Sequence, residues 1–231
     1  LYKLERIAGM TRPAVTAFVG LPNAAIILAS ASVARQNILR SAGIDFDIMP
    51  VAVDEAQVRA GALADDMMPA DIAVLLAFLK AQAASQRLAT APSATSSAYV
   101  IGCDQILTCE GQIINKPDTI NTAKDQLCGL AGKTHKLLSA IVLLRDGQRI
   151  WHHLAESSLT MREFDTAFAE AYIRHIGDAA LFSPGAYQIE SVGTSLFAKI
   201  EGDHFDILGL PLLPLLAILR EHGLSPLEPF A

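Results

Sequence analysis

Charge is scarce in this chain, and so are cysteine and tryptophan. Asp, Glu, Lys and Arg make up 18% of the residues against 52% hydrophobic ones, which excludes a disordered chain and describes a packed globular one. The small charge excess is acidic. A net charge of −6 excludes the broad basic surface of a general nucleic-acid binder, yet leaves room for one nucleotide in a local basic pocket. The cysteines Cys103, Cys109 and Cys128 are odd in number and lack paired metal-ligand spacing, so reduced thiols in a cytoplasmic protein fit best. The histidines (His135, His152, His153, His175, His204, His222) are scattered, and no zinc site is assigned to them. No apolar run approaches the ~20 residues of a membrane-spanning helix. A Walker loop, a dinucleotide fingerprint and a nucleophile elbow are all missing, as are internal repeats and coiled-coil heptads.

The length, 231 residues, allows one large domain or two lobes with an ample core. Residues 1–23 read as a leader, loosely held or foreign to the natural chain, and Met10 is a candidate start. Arg12 followed by apolar Ala14 to Ala29 imitates a secretory signal. Gly20, Pro22 and Asn23 break that run, and its second half is needed as the first strand, so the signal is rejected. Residues 24–226 are the expected functional domain.

Within that domain, Ile27-Leu28-Ala29-Ser30-Ala31-Ser32-Val33-Ala34-Arg35 organises the reading. A short apolar run ends in two serines, then apolar positions recur at helical spacing until Gly43. This predicts a strand over 25–29, a tight turn and a helix over 33–42. The turn would set Ser30, Ser32 and unbonded backbone N–H groups at the positive end of a helix, where a phosphate can sit, with Arg35 reaching the same place. A plain serine cap on a buried unit would look the same. A second strand is expected from Phe46 to Val51, with Asp54 and Glu55 at its end. Residues 56–68 read as loop and a short helical start, and Asp71 to Leu88 as a long apolar helix carrying Lys80. Residues 91–97 read as a surface linker.

Tyr99 to Cys103 is a buried strand with Asp104 at its end. Glu110-Gly111 turns a hairpin into Gln112-Ile113-Ile114, closed by Lys116-Pro117. Thr122 and Asp125 suggest a capping box for a helix ending before Gly132. Leu137 to Leu144 and Ile150 to Met161 form a long hairpin about Asp146-Gly147. Phe164, Phe168 and Tyr172 share a core-facing helix face, Leu196 to Ile200 is a strand, and Gly209-Leu210-Pro211 introduces a closing helix. Helices and strands interleave early and a hairpin follows, which implies an α/β sheet of mixed direction with a cleft at strand ends.

A carboxylate directly after a buried apolar strand is costly unless something positive meets it. Asp104 is therefore the most informative acid, and a metal ion or Lys116 could meet it. Glu55 could share Mg²⁺ through oxygen ligands. Asp203 and Asp206 are later acidic candidates. Among the cations, Lys80 lies amid Leu75, Leu76, Phe78 and Leu79, pointing either into the cleft or out to water. Pro117 aims Lys116, and Lys133 completes the unusual set.

Several of these pieces together resemble the Maf family of nucleoside triphosphate pyrophosphatases, also called septum formation inhibitor Maf. The matching pieces, in order, are Leu28-Ala29-Ser30-Ala31-Ser32-x-x-Arg35, Asp54-Glu55, Gly102-x-Asp104, Asn115-Lys116-Pro117, Leu130-x-Gly132-x-Thr134-His135, Gly185-Ala186-Tyr187, Ile200-Glu201-Gly202-Asp203 and Leu208-Gly209-Leu210-Pro211. The resemblance implies a twisted mixed sheet in two lobes with helices around it, a deep central cleft and a homodimer. It implies hydrolysis of a nucleoside triphosphate to monophosphate and pyrophosphate with Mg²⁺ or Mn²⁺. Carried over by position, Asp104 matches the general base, Glu55 and Asp104 the metal acids, and Ser30, Ser32, Arg35, Lys80 and Lys116 the triphosphate-holding set.

Family members usually read Ser-Pro-Arg-Arg where this chain has Ser32-Val33-Ala34-Arg35, so Ala34 leaves a side chain out near base or phosphate. Two further positions sort substrates in the family. They are Gln105 and Glu190 here, the pair of the branch acting on 7-methyl-GTP; members acting on dTTP and UTP carry Thr and Gln. Rival readings are a dTTP/UTP enzyme, a pyrophosphatase of the inosine triphosphate type, and a regulator of cell division that binds nucleotide without turning it over.

Overall fold

The computed structural model describes residues 24–90 and 97–224. The leader expected over 1–23, residues 91–96 of the expected linker and residues 225–226 of the expected domain lie outside the described residues. The elements run β1 (Ala25–Leu28), α1 (Val33–Ser41), β2 (Asp47–Ile48), α2 (Glu55–Ala64), α3 (Pro69–Ala89), β3 (Ala98–Cys109), β4 (Gln112–Ile114), α4 (Ile120–Leu130), β5 (Thr134–Arg145), β6 (Gln148–Met161) and α5 (Thr166–Ile176). Short 3₁₀ turns occupy Gly177–Leu181, Pro184–Ala186 and Val192–Leu196, followed by β7 (Phe197–Glu201), α6 (His204–Ile207) and α7 (Leu212–Glu221).

One seven-stranded mixed sheet joins them in the order β2-β1-β3-β5-β6-β7, with β4 also on β3. The expected α/β sheet of mixed direction is present. Strands β1, β2 and β3 are parallel neighbours, while β3, β4, β5, β6 and β7 pair antiparallel. The long strand β3 decides where the cleft lies. One of its edges is covered by β5 from Tyr99 to Thr108. The other edge meets β1 over Ala98–Ile101 and β4 over Leu107–Cys109. On that second edge, residues 102–106 face no strand among the described residues. The gap opens into the cleft.

Three apolar clusters hold the sheet. Ile101, Cys103, Ile141 and Leu143 pack with α1 and α7 on one face, and Val100, Ala140, Val142 and Leu144 pack with α3 on the other. Leu107, Leu137, Leu159 and Tyr187 centre a third cluster beyond the gap, with α4 and α5. This is the two-lobed arrangement, built on one continuous sheet.

Sequence and structure part in a few places. Asp104 is not at a strand end: β3 continues to Cys109, because ten residue pairs with β5 hold it extended through the carboxylate. The strand expected over 46–51 shortens to Asp47–Ile48, which pairs with β1 at the sheet edge. The loop and short helical start expected over 56–68 are largely the ten-residue helix α2; Asp54 caps it by accepting from Gln57 N–H at 2.9 Å. Helix α4 starts earlier than the proposed box: Thr119 caps it by accepting from Thr122 N–H at 3.1 Å, which places Thr122 inside. The turn α6 has no counterpart in the sequence reading.

Helix α3 lies unusually close to β3. A Cβ on Gly102 would stand 2.1 Å from the Ala77 carbonyl oxygen and 2.8 Å from Ala81 Cβ. Ala73, Ala77, Ala81 and Ala84 form the fully buried stripe that permits this approach. Lys80, one turn along from Ala77, is thereby carried to the sheet two residues past Gly102.

Candidate active site

The cleft is about 1410 Å³ and is lined from α1, α2, α3, the open stretch of β3, β4 and the segment 182–190. At its centre Lys80 Nζ stands 2.6 Å from Asp104 Oδ1 and 2.6 Å from Glu55 Oε1. Arg59 Nη1 meets the other oxygen of Glu55 at 3.3 Å. Asp104 is 4% exposed, and its Oδ2 is buried with no partner among the described residues. Burial raises the Asp104 carboxyl above the ordinary carboxylate range, outweighing the pull of Lys80 and Arg35. At Glu55 burial also works upward, but the hydrogen bond and charge of Lys80, with Arg59 and Lys116, bring it below its ordinary value. The same lysine thus faces one carboxylate whose proton affinity is lowered and one whose proton affinity is raised.

The expected phosphate turn is built as a cap and a brace together. Ser32 caps α1 by accepting from Arg35 N–H at 3.4 Å. Ser30 Oγ accepts from Ser32 N–H and from Arg35 Nη1, each at 3.2 Å, leaving its own hydroxyl proton to donate. The first intrahelical bond runs from Gln36 N–H to Ser32 C=O. The N–H groups of Val33 and Ala34 precede it, and both residues line the cleft. Arg35 is more committed than expected: Nε donates to Gly209 C=O at 2.8 Å and Nη1 to Cys103 C=O at 3.2 Å, in addition to Ser30. Its Nη2 edge is what remains for a phosphate. Gly209 has φ +86°, which turns its carbonyl toward Arg35; a Cβ there would sit 3.2 Å from Nη2.

Lys116 is exposed on the cleft wall after β4, and Glu190 is exposed on the wall after the turn at Pro184–Ala186. Ala34 and Gln105 are half-buried in the lining. Other sequence candidates lie elsewhere. Lys133 pairs with Glu110 at 2.9 Å on the surface. Asp54 caps α2, and Asp203 caps α6 by accepting from Phe205 N–H at 2.8 Å. Cys103, Cys109 and Cys128 are free, and no described helix is long and apolar enough to cross a membrane.

A cation-rich wall and a buried carboxylate with a spare oxygen describe a site for a phosphorylated ligand. Comparison with known sequences agrees. A family model described as Maf-like protein matches residues 25–222. The chain belongs to the Maf family. It is 45% identical over 195 residues to 7-methyl-GTP pyrophosphatase of Brucella abortus, covering 84% of this chain and 94% of that one. It is 44% identical over 203 residues to nucleoside triphosphate pyrophosphatase of Nitrobacter hamburgensis, covering 87% and 96%. A 7-methyl-GTP pyrophosphatase of Mesorhizobium japonicum matches at 44% over 198 residues, covering 86% and 96%.

In this Maf chain Asp104 and Glu55 fit a divalent cation in part. Two carboxylates are hard oxygen donors, and the unpartnered Asp104 Oδ2 is one such donor left open. Among the described residues no group of three or more His, Cys, Asp or Glu side chains gathers, so no cage is made by protein alone. Mg²⁺ suits such a site, since it takes one or two carboxylates and completes its shell with phosphate oxygens and water. Sequence reading missed one residue of the cleft lining, Arg59. Arg59 lies four residues after Glu55, a spacing that becomes a signal only once α2 is read as a helix.

Proposed function

We propose that this chain hydrolyses a nucleoside triphosphate to the monophosphate and pyrophosphate, with 7-methyl-GTP as the favoured substrate. The observation that carries the reading is the unpartnered Asp104 Oδ2, buried in the cleft while Lys80 fixes the other oxygen of the same carboxylate. A pure nucleotide binder has no use for such a group. The relatives' names, nucleoside triphosphate pyrophosphatase and 7-methyl-GTP pyrophosphatase, support the same chemistry.

In the proposed reaction Asp104 accepts a proton from the attacking water. The water oxygen bonds to the α-phosphorus, the bond from that phosphorus to the α–β bridging oxygen breaks, and pyrophosphate leaves with the electron pair. Lys116, the Nη2 edge of Arg35, the Ser30 hydroxyl and the N–H groups at the start of α1 hold the phosphate oxygens in line and match their growing charge. Lys80 keeps Asp104 oriented and ties it to Glu55. A divalent cation held by Asp104 and Glu55 would neutralise phosphate charge when bound. At the other end the Glu190 carboxylate offers hydrogen-bond acceptors. Guanine presents N1–H and N2–H side by side, and N7 methylation makes N1–H more acidic, which strengthens that pairing. A charge-assisted bond of this kind contributes ~1.5–3 kcal/mol, or about tenfold to a hundredfold in selectivity. We further propose a cytoplasmic homodimer; the three free cysteines suit a reducing compartment.

Pyrophosphate release from 7-methyl-GTP, GTP, UTP and dTTP with Mg²⁺ or Mn²⁺ tests the reading. The expected result is the highest kcat/KM on 7-methyl-GTP, a shift of the ratios in Glu190→Gln, and a loss of ~10²-fold or more in Asp104→Asn with the fold intact. Preference for UTP or dTTP would overturn the substrate choice, and full activity in Asp104→Asn the site.

A further inference from the structure

Gln105 follows Asp104 on β3 and projects to the opposite face of the sheet. Its carboxamide nitrogen lies 2.8 Å from Ser139 Oγ, 3.0 Å from the Ile207 carbonyl oxygen and 3.3 Å from the Asp206 carbonyl oxygen. Ser139 sits directly across from Gln105 in the β3–β5 register and is 1% exposed. Its hydroxyl donates to the Asp206 carbonyl at 2.6 Å. A hydroxyl has one proton, so toward Gln105 Ser139 offers only a lone pair. The two carbonyls offer only lone pairs as well. All three neighbours are acceptors, and only the NH₂ end of the amide can face them. A flipped amide would bring Oε1 against three oxygens. The network therefore fixes the orientation, and Oε1 is the atom that Gln105 turns away from α6, on a side chain that lines the cleft.

We propose that Ser139 is a positioning residue: with the Asp206 and Ile207 carbonyls it locks Gln105 so that the cleft meets a hydrogen-bond acceptor that cannot turn into a donor. This rests on the reading of the cleft as a nucleoside triphosphate site. An acceptor repels phosphate oxygens, so Gln105 belongs to the nucleoside end, on the same side of the chemistry as Glu190. Free glutamine serves either a donor or an acceptor by rotating, and would tolerate a uracil carbonyl as readily as a guanine N–H. Locked glutamine does not. Ser139 thereby favours bases whose reading edge presents adjacent N–H groups, as guanine and 7-methylguanine do, over uracil, whose single N–H is flanked by two carbonyls.

Two measurements test it. The first needs no turnover: hydrogen exchange of the Gln105 side-chain NH₂ by ¹⁵N NMR, its signals identified by their loss in Gln105→Leu. The lock predicts slow exchange in the wild type, faster exchange in Ser139→Ala and protection restored in Ser139→Thr. Exchange at the rate of a free amide in the wild type would overturn the lock. The second is the ratio of kcat/KM for 7-methyl-GTP over UTP. It should fall roughly threefold to tenfold in Ser139→Ala, mainly through KM, and recover in Ser139→Thr, since one ordinary hydrogen bond contributes that much. A protected amide with an unchanged ratio in Ser139→Ala would overturn the specificity role. Absence of turnover on every triphosphate would overturn the hydrolase reading, and with it the specificity role, while the exchange data still decide the lock.

Discussion

Arg35 and Lys116 bring the same charge to the cleft by different means. The Arg35 side chain makes three hydrogen bonds among the described residues, to Ser30, Cys103 and Gly209, which tie α1 to β3 and to the segment before α7. Lys116 is exposed and its ammonium is free to meet a ligand. Arg35→Ala should therefore lower both activity and stability, the latter by roughly 2–4 kcal/mol for the lost bonds. Lys116→Ala should raise KM for every nucleotide while unfolding stays within about 0.5 kcal/mol of the wild type. Urea unfolding and kinetics on a purine and a pyrimidine triphosphate check both. Loss confined to one base in either variant would show the residue to be misplaced. The sequence pointed to both cations, because each stands in a context that aims it. What it could not reveal is that Arg35 divides its donors between protein and cleft, since Gly209 and Cys103 come to it from distant parts of the chain. Asp104 was legible as a carboxylate needing a cation, and Lys80 as a lone charge in an apolar helix. Their pairing at 2.6 Å was not, because it depends on how closely α3 lies on the sheet.

At the scale of elements, that approach is set by Gly102 and the alanine stripe of α3. Gly102→Ala would press a methyl group against the Ala77 carbonyl, a backbone atom that only movement of the helix can displace. The expected cost is ~1–3 kcal/mol or somewhat more, as for other overpacked cores. The helix shift would also draw Lys80 away from Asp104, so kcat should fall by more than KM changes. Urea unfolding together with steady-state kinetics checks this; wild-type stability and kcat would mean that α3 is not seated as described. Elements with strong periodicity or turn residues were legible: β1, α1, α3, the β3–β4 hairpin and the β5–β6 hairpin. Helix α2 was hidden by its Ala- and Gly-containing sequence, which carries little amphipathic pattern. The short α6 was hidden by its length, and it is the element that supplies the carbonyls beside Gln105.

On the scale of the whole molecule, a single sheet runs through both lobes, and the lobe beyond the cleft has its own titration. His135 on β5 is 1% exposed and packs against Tyr187 and Phe197. Its Nε2 lies 2.8 Å from the Tyr187 hydroxyl, and its Nδ1 has no partner among the described residues. Burial lowers its pKa to about 4 from the usual 6.5. The folded protein thus holds a neutral imidazole, while the unfolded chain takes up a proton once the pH drops below about 6.5. Protonation favours the unfolded state throughout that interval, so stability is lost as pH falls from about 6.5 and the loss levels off below about 4, at about 3 kcal/mol for this one group. Tyr187 lines the cleft, so this same contact supports the wall that carries Glu190. His135→Gln keeps a hydrogen-bonding group for Tyr187 and removes the titration. Urea unfolding from pH 7.5 to pH 4 should show the wild type losing more stability than the variant, with the two curves converging toward the acid end if the variant starts lower. Parallel curves over the whole interval would show that His135 is not the group whose burial makes this lobe acid-sensitive.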